Sequence, residues 1–214
     1  MPRIDDYKQA RELGVKQLLD KNPDLVASFS RAQIDRTKEG RVDLSFAFSN
    51  RKVRITWPNF KFHVEESQEE LPIQQQILLL HYLHGALASS GAAPAGEWIS
   101  FQEVPDGRFY LEAFNKRAKI PLVQAFGAKP ELMIKLSEEV YGAKLFNQGD
   151  FSVVIKALPL VPVALILWKG DEEFPPEGTL LFDKTVSKIL SAEDIAWLAG
   201  MVVYPLIGMA KQKV

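Results

Sequence analysis

Three groups of residues have types and spacings suited to chemistry. The segment from Trp98 to Arg117 mixes aromatic rings with cations: Trp98, Phe101, Phe109 and Tyr110 accompany Arg108, Lys116 and Arg117. Rings that stack and guanidinium groups that donate paired hydrogen bonds together suit an anionic, ring-bearing ligand. The same letters also describe an amphipathic helix docked on a sheet, with its aromatics buried and its charges solvated. A second group, Lys169-Gly-Asp171-Glu172-Glu173-Phe-Pro-Pro-Glu177-Gly178, is an acidic loop after an apolar strand. Carboxylates at a strand end can hold a cation or work as acid and base, and a solvated turn uses the same residues. Third, His81 and His84 stand three apart on a helical pattern, a spacing that can aim two imidazoles at one metal. His63 is the remaining histidine, and His84 falls on an apolar stripe, so packing is the preferred reading and no metal site is expected.

Composition removes several classes of function. Cysteine is absent, which excludes disulfides, a thiol nucleophile, thiolate zinc sites and any iron–sulfur cluster held by this chain. A formal net charge of -1 supplies no field for a phosphate backbone, so nucleic-acid binding is not expected. No P-loop, GxGxxG, GxSxG or HExxH pattern occurs. The first residues lack the apolar core of a signal peptide, which makes the cytoplasm the expected address. The longest apolar run, Ile195 to Ala210, falls short of the roughly 20 residues of a membrane span and reads as a buried helix.

The elements that must position these groups follow from periodicity. Asp5 to Asp20 and the segment after Pro23 read as a helical entry. Val42, Leu44, Phe46 and Phe48 alternate with polar or small residues, as do Val53, Ile55 and Trp57, with Ser49-Asn50 turning between them and Phe60, Phe62 and Val64 continuing the meander. Pro72 opens a helix with Ile73, Ile77, Leu80, His84 and Leu87 along one face. Glu97 to Val104 reads as a strand, followed by a helix through Phe109, Phe114 and Ala118 that Pro121 kinks or ends. Pro130 and Gly142 bracket another helix. Phe151 to Leu158, Val163 to Trp168 and Thr179 to Phe182 read as strands, the second apolar throughout and therefore central. Asp183 can cap a short helix, and Ser191 with Asp194 approximates a capping box for the last one. These elements predict one α+β domain over residues 1–214, a largely antiparallel sheet packed with helices, with a helical N-terminal entry and a C-terminal buried helix.

The segments Gly96 to Gly127 and Leu158 to Asp183, with the closing pattern Ile189 to Ile207, resemble the family named domain of unknown function 3786. The resemblance covers most of the chain. It implies a shared fold and a shared ligand surface, and it brings no established activity or catalytic residues. Some members resemble proteins with an added cysteine-rich iron–sulfur module, set near corrinoid proteins in anaerobic one-carbon metabolism. Lacking cysteine, this chain would leave any redox cluster to a protein partner.

Two functions from different classes fit these readings. One is a non-catalytic binding or accessory protein that holds a small organic molecule, of tetrapyrrole or phosphate-bearing type, against Trp98, Phe101, Arg108, Tyr110 and the Asp171 loop. The other is an enzyme that uses Glu103, Asp171 or Glu172 as acid and base, with Arg117 as an anion clamp. A protein-docking module with an exposed aromatic patch is the third alternative. The identity of ligand or cofactor is not written in the sequence.

Overall fold

A computed structural model describes residues 4–37 and 40–212. Its class is α+β, and the strands form two antiparallel sheets, of four and five strands. Cα packing resolves two compact units. The first takes the chain through Ala93, with Leu158–Leu160 and Lys188–Leu190; the second takes Pro94–Ala157, Val161–Ser187 and the chain from Ser191 onward.

In the first unit, α1 (Ile4–Leu19) and α2 (Pro23–Ser30) precede the meander β1 (Gln33–Arg36), β2 (Val42–Phe48), β3 (Arg51–Trp57) and β4 (Lys61–Val64), and α3 (Ile73–Ala88) follows. Two-residue periodicity puts Val42, Leu44, Phe46 and Phe48 on one face of β2, where they meet Trp57, Ile55, Val53 and Arg51 in register. Ser49 and Asn50 both take positive φ, the geometry of a two-residue hairpin turn whose twist matches its strands. On this face Phe46 meets Tyr82 of α3, ring centroids 5.6 Å apart, and the buried Tyr82 hydroxyl donates to the Ser30 carbonyl at 2.7 Å. Arg11 of α1 donates to Gln76 Oε1 at 2.6 Å and to the Phe60 carbonyl at 2.7 Å, anchoring α1 to the helix and sheet it packs beside.

The second unit is built on the five-stranded sheet, ordered β5 (Trp98–Ser100), β9 (Glu177–Asp183), β8 (Val161–Trp168), β7 (Phe151–Leu158), β6 (Lys144–Leu145). The apolar β8 is central, as its composition predicts. The strand expected from Glu97 to Val104 is only three residues long; Phe101–Glu103 turn into a 3₁₀ segment because Ser100 and Glu103 close a capping box. The helices are α4 (Gly107–Phe114), α5 (Ile120–Phe126), α6 (Pro130–Tyr141) and α7 (Ala192–Gln212). Between α4 and α5 the chain takes a π turn over Asn115–Lys119, with the Ile120 amide reaching back to the Asn115 carbonyl. Pro121 has no N–H to offer the Arg117 carbonyl four residues earlier, so the ladder widens there instead of breaking.

Gly142 ends α6 with φ of 60°, and Ser191 and Asp194 cap α7 reciprocally, Asp194 donating its amide to Ser191 Oγ at 3.2 Å. By length and composition α7 could cross a bilayer; half of its most apolar window is buried inside the protein.

Candidate functional site

The five-stranded sheet separates the candidate residues into different places. Backbone register sets Ile99 opposite Phe182 and Ser100 opposite Leu181, so alternation puts Trp98 and Ser100 on the face that carries Leu181, Ala164, Ile166 and Trp168. Phe182, Leu180 and Leu165 point to the other face. There Phe101, only 2% exposed, stacks on Phe114 of α4 with centroids 4.2 Å apart and planes within 3°, and both rings meet the edge of Phe182. Phe101 is therefore core. Trp98 lies on one side of the sheet, and α4 with Arg108 and Tyr110 packs on the other, so the structure does not bring Trp98 and Arg108 together.

What Trp98 does meet is Phe146, at 5.1 Å between ring centroids and tilted by 54°. Phe146 follows β6 at the opposite edge of the sheet, its amide bonded to the Ser152 carbonyl at 3.0 Å, and the turn after it reaches the end of β8, where the Asp150 amide donates to the Leu167 carbonyl at 3.2 Å. Two features hold this turn there. Ser152 donates its hydroxyl to the Phe146 carbonyl at 2.8 Å and accepts the Gln148 amide at 3.3 Å. Gly149, at φ of 65°, lies so close on Ile166 and Trp168 that a Cβ would collide with the isoleucine. The result is a half-exposed aromatic pair, Trp98 and Phe146, beside Leu181, with the hydroxyl-bearing Ser100 and Thr179 on the same face. The Lys184–Glu97 ion pair flanks Trp98. Apolar planes bordered by a few polar groups are the ordinary makings of a small-molecule surface.

The carboxylates considered for acid–base chemistry sit on separate exposed turns. Glu103 accepts the Ser100 amide at 2.8 Å, and that bond holds its pKa below the usual carboxylate value. Asp171 accepts the amides of Phe174 and Glu173, both at 2.8 Å, and these bonds lower its pKa likewise. Its carboxylate is occupied in closing its own turn, a local bond typical of Asp in loops. Glu172 is exposed beside it.

Arg117 lies in the π turn and places its guanidinium 4.4 Å from the centroid of Trp197 on α7, while Lys116 pairs with Glu112 and Lys119 with Glu177. The stack fixes Arg117 against its own helix layer. Arg117→Lys keeps the charge and loses the planar stack; an expected cost of about 0.5–1 kcal/mol would be read from urea unfolding. Arg108 is exposed and Tyr110 half-buried on α4, next to Phe109, which is 87% exposed.

The histidines do not converge. His63 stands on β4 opposite Arg54, on the sheet face away from α3, while His81 and His84 are carried by α3; His63 Nδ1 lies 3.2 Å from the Gln68 carbonyl. Among the described residues no three His, Asp or Glu side chains gather as a metal cluster.

Two residues, Phe146 and Asp183, make long-range contacts that sequence pattern does not announce. Phe146 is a lone aromatic in a short loop, where no periodicity marks it. Asp183 reads as a helix cap, and it does accept the Thr185 amide at 3.0 Å and hydroxyl at 2.8 Å; it also binds the amides of Ala95 at 3.0 Å and Gly96 at 2.7 Å. It thereby seats the loop that leads into β5 and Trp98. The Asp-x-Thr spacing announces the first half of this clamp, and the second half joins residues 87 and 88 positions apart.

No curated protein and no solved structure matches the chain. The family model described as Domain of unknown function (DUF3786) matches residues 22–204 of the 214, and the chain therefore belongs to that family.

Proposed function

We propose that this chain is a non-catalytic binding or accessory protein that holds a small planar organic molecule on the open face of its five-stranded sheet, stacked on Trp98 and Phe146. The observation that carries this reading is the aromatic pair itself: two half-exposed rings from elements at opposite edges of the sheet that meet on one face, with the turn after Phe146 held in place by Ser152 and Gly149. Ser100 and Thr179 supply hydroxyls for orientation, and stacking supplies affinity. Arg108, Tyr110 and the Asp171 turn have no part in this site. The corrinoid and one-carbon setting of the family resemblance, in the cytoplasm, makes a tetrapyrrole the first ligand class to test. An enzyme built on Glu103, Asp171 and Glu172 is disfavoured, since these carboxylates occupy separate exposed turns and two of them are engaged in local capping bonds.

The test is native mass spectrometry of protein purified without oxygen from its own host, with fluorescence titration by the tetrapyrrole cobinamide beside it. The expected result is a retained or titratable ligand that Trp98→Ala and Phe146→Ala lose and Arg108→Ala keeps. Ligand retention by Trp98→Ala, or a clean protein whose fluorescence cobinamide leaves unchanged, would overturn the reading. One observation favours a second reading, docking of a protein partner that carries a redox centre: Phe109 projects almost fully exposed from α4. Loss of partner capture by Phe109→Ser with Trp98→Ala unaffected would select it.

A further inference from the structure

Among the described residues, two of the buried oxygens without hydrogen bonds stand side by side on the outer face of the first unit's sheet. Val42, Leu44 and Phe46 of β2 face the core, so Asp43 and Ser45 point the other way, yet they are only 6% and 2% exposed. Among the described residues Asp43 Oδ1 and Ser45 Oγ have no hydrogen-bond partner. A buried polar atom left unpaired costs about 1–3 kcal/mol, which a fold tolerates when an ion, water or ligand satisfies it.

Register shows what stands around them. Asp35 on β1 is directly opposite Asp43, and Thr56 on β3 is opposite Asp43 from the other side. Opposed residues of antiparallel strands bring their Cβ atoms to about 4.5–5.5 Å, close enough for two carboxylates to share one ion, and like charges so placed destabilise a sheet when nothing lies between them. Arg41 offsets part of that charge, 3.3 Å from Asp43 Oδ2, and leaves Oδ1 open. Asp35 is exposed and its carboxylate has no partner among the described residues. In the next row Arg54 is drawn to Glu65 at 2.7 Å and does not neutralise the pair. Lys61, opposite Thr56 on β4, is exposed at the far end of the row.

We infer that the outer face of this sheet binds one hard divalent cation of the magnesium class, held by Asp35 and Asp43 with the hydroxyls of Ser45 and Thr56 at its margin. The donors are all oxygen, which selects hard cations over zinc or copper, and Mg2+ characteristically takes one or two carboxylates and completes its octahedron with water. Two carboxylates on neighbouring strands are sufficient for such a site; zinc would call for nitrogen or sulfur ligands, and the histidine on this face, His63, stands in the row of Ser45 and Arg54, two strands from β2, and not beside Asp43.

The experiment titrates the whole chain with Mn2+ and follows the free ion by electron paramagnetic resonance, with Mg2+ as competitor. One Mn2+ per chain, displaced by Mg2+, is expected. Asp35→Asn should weaken binding on the order of 10- to 100-fold, a range that even outer-shell changes reach at metal sites. Because Asp35 is exposed, that variant keeps its fold, and an unchanged melting temperature without metal verifies it. Asp171→Asn, in the acidic turn of the second unit, should bind like the wild type. Absence of saturable Mn2+ binding, the result an ordered water at Asp43 and Ser45 would give, overturns the inference, as does equal affinity in Asp35→Asn and wild type.

Discussion

Asp183→Ala is expected to lower stability by about 3–5 kcal/mol, because it removes four hydrogen bonds to a buried carboxylate at once and leaves the amides of Ala95, Gly96 and the buried Thr185 without their acceptor. Asp183 is 1% exposed; its Oδ1 takes the amides of Ala95 and Thr185 and the Thr185 hydroxyl, and its Oδ2 takes the Gly96 amide. Burial alone would push the carboxyl's pKa up, and the hydrogen bonds from Thr185, Ala95 and Gly96 outweigh it, so the folded-state pKa lies below the ordinary value. The contribution of the clamp is thus fully present above the unfolded pKa and is lost as pH falls through the folded one. In Asp183→Asn there is no charge to titrate, and the amide nitrogen would face a backbone donor. Urea unfolding of wild type and Asp183→Asn should differ most at neutral pH, and the gap should narrow as pH drops below about 4, the ordinary aspartate pKa. A gap that is constant between neutral and strongly acidic pH would show that the carboxylate is not the clamp. For a chain of this size each kcal/mol moves the melting temperature by roughly 2–4 °C, so the alanine variant is also visible in a thermal scan.

The same residue illustrates what a sequence conveys and what it withholds. Periodicity is local, so it discloses the strands whose residues alternate against a core: β2 and β3 are legible from Val42 to Trp57, and β8 from its unbroken apolar run. Punctuation is local too. Pro130 with Gly142, the Ser191–Asp194 pair and the Ser49-Asn50 turn all behave as their residue types require. β1 escapes because Gln33, Asp35 and Arg36 are exposed and only Ile34 is partly covered; an edge strand with one apolar residue has no period to read. β5 is overestimated because Phe101 continues the apolar pattern while its backbone has already turned under the Ser100–Glu103 box.

The site was less legible than the fold, for a topological reason. Alternation along Trp98-Ile99-Ser100-Phe101 says that neighbours diverge, but not which helix or loop covers each side. Phe101 therefore reads as a ligand contact and is core, and the partner of Trp98 is Phe146, which follows the strand at the opposite edge of the sheet. Strand order, not residue type, makes that pair. Likewise Asp35, Asp43 and Thr56 become neighbours only through register, since no spacing in sequence links 35, 43 and 56.

Strand order and helix contacts also decide the sign of glycine substitutions, which composition leaves open. Alanine is the better helix former by about 1 kcal/mol, so Gly→Ala inside a helix stabilises wherever there is room for a methyl group. Gly208 of α7 has nothing within 4 Å of the place its Cβ would take, and Gly208→Ala should gain about 0.5–1 kcal/mol. Gly85 of α3 is the opposite case. A Cβ there would overlap the carbonyl of Ile189, and the obstruction is backbone, which cannot rotate aside as a side-chain tip does. Ile189 and its neighbour Leu190 are buried, so the segment cannot retreat without exposing apolar surface. Gly85→Ala is therefore expected to cost about 3 kcal/mol or more, at or beyond the usual range for overpacked cores, despite its helix propensity. Urea unfolding of the two variants side by side measures both signs. Stabilisation by Gly85→Ala would mean that Lys188–Leu190 does not lie against α3, and the close approach that places it in the first unit would have to be abandoned.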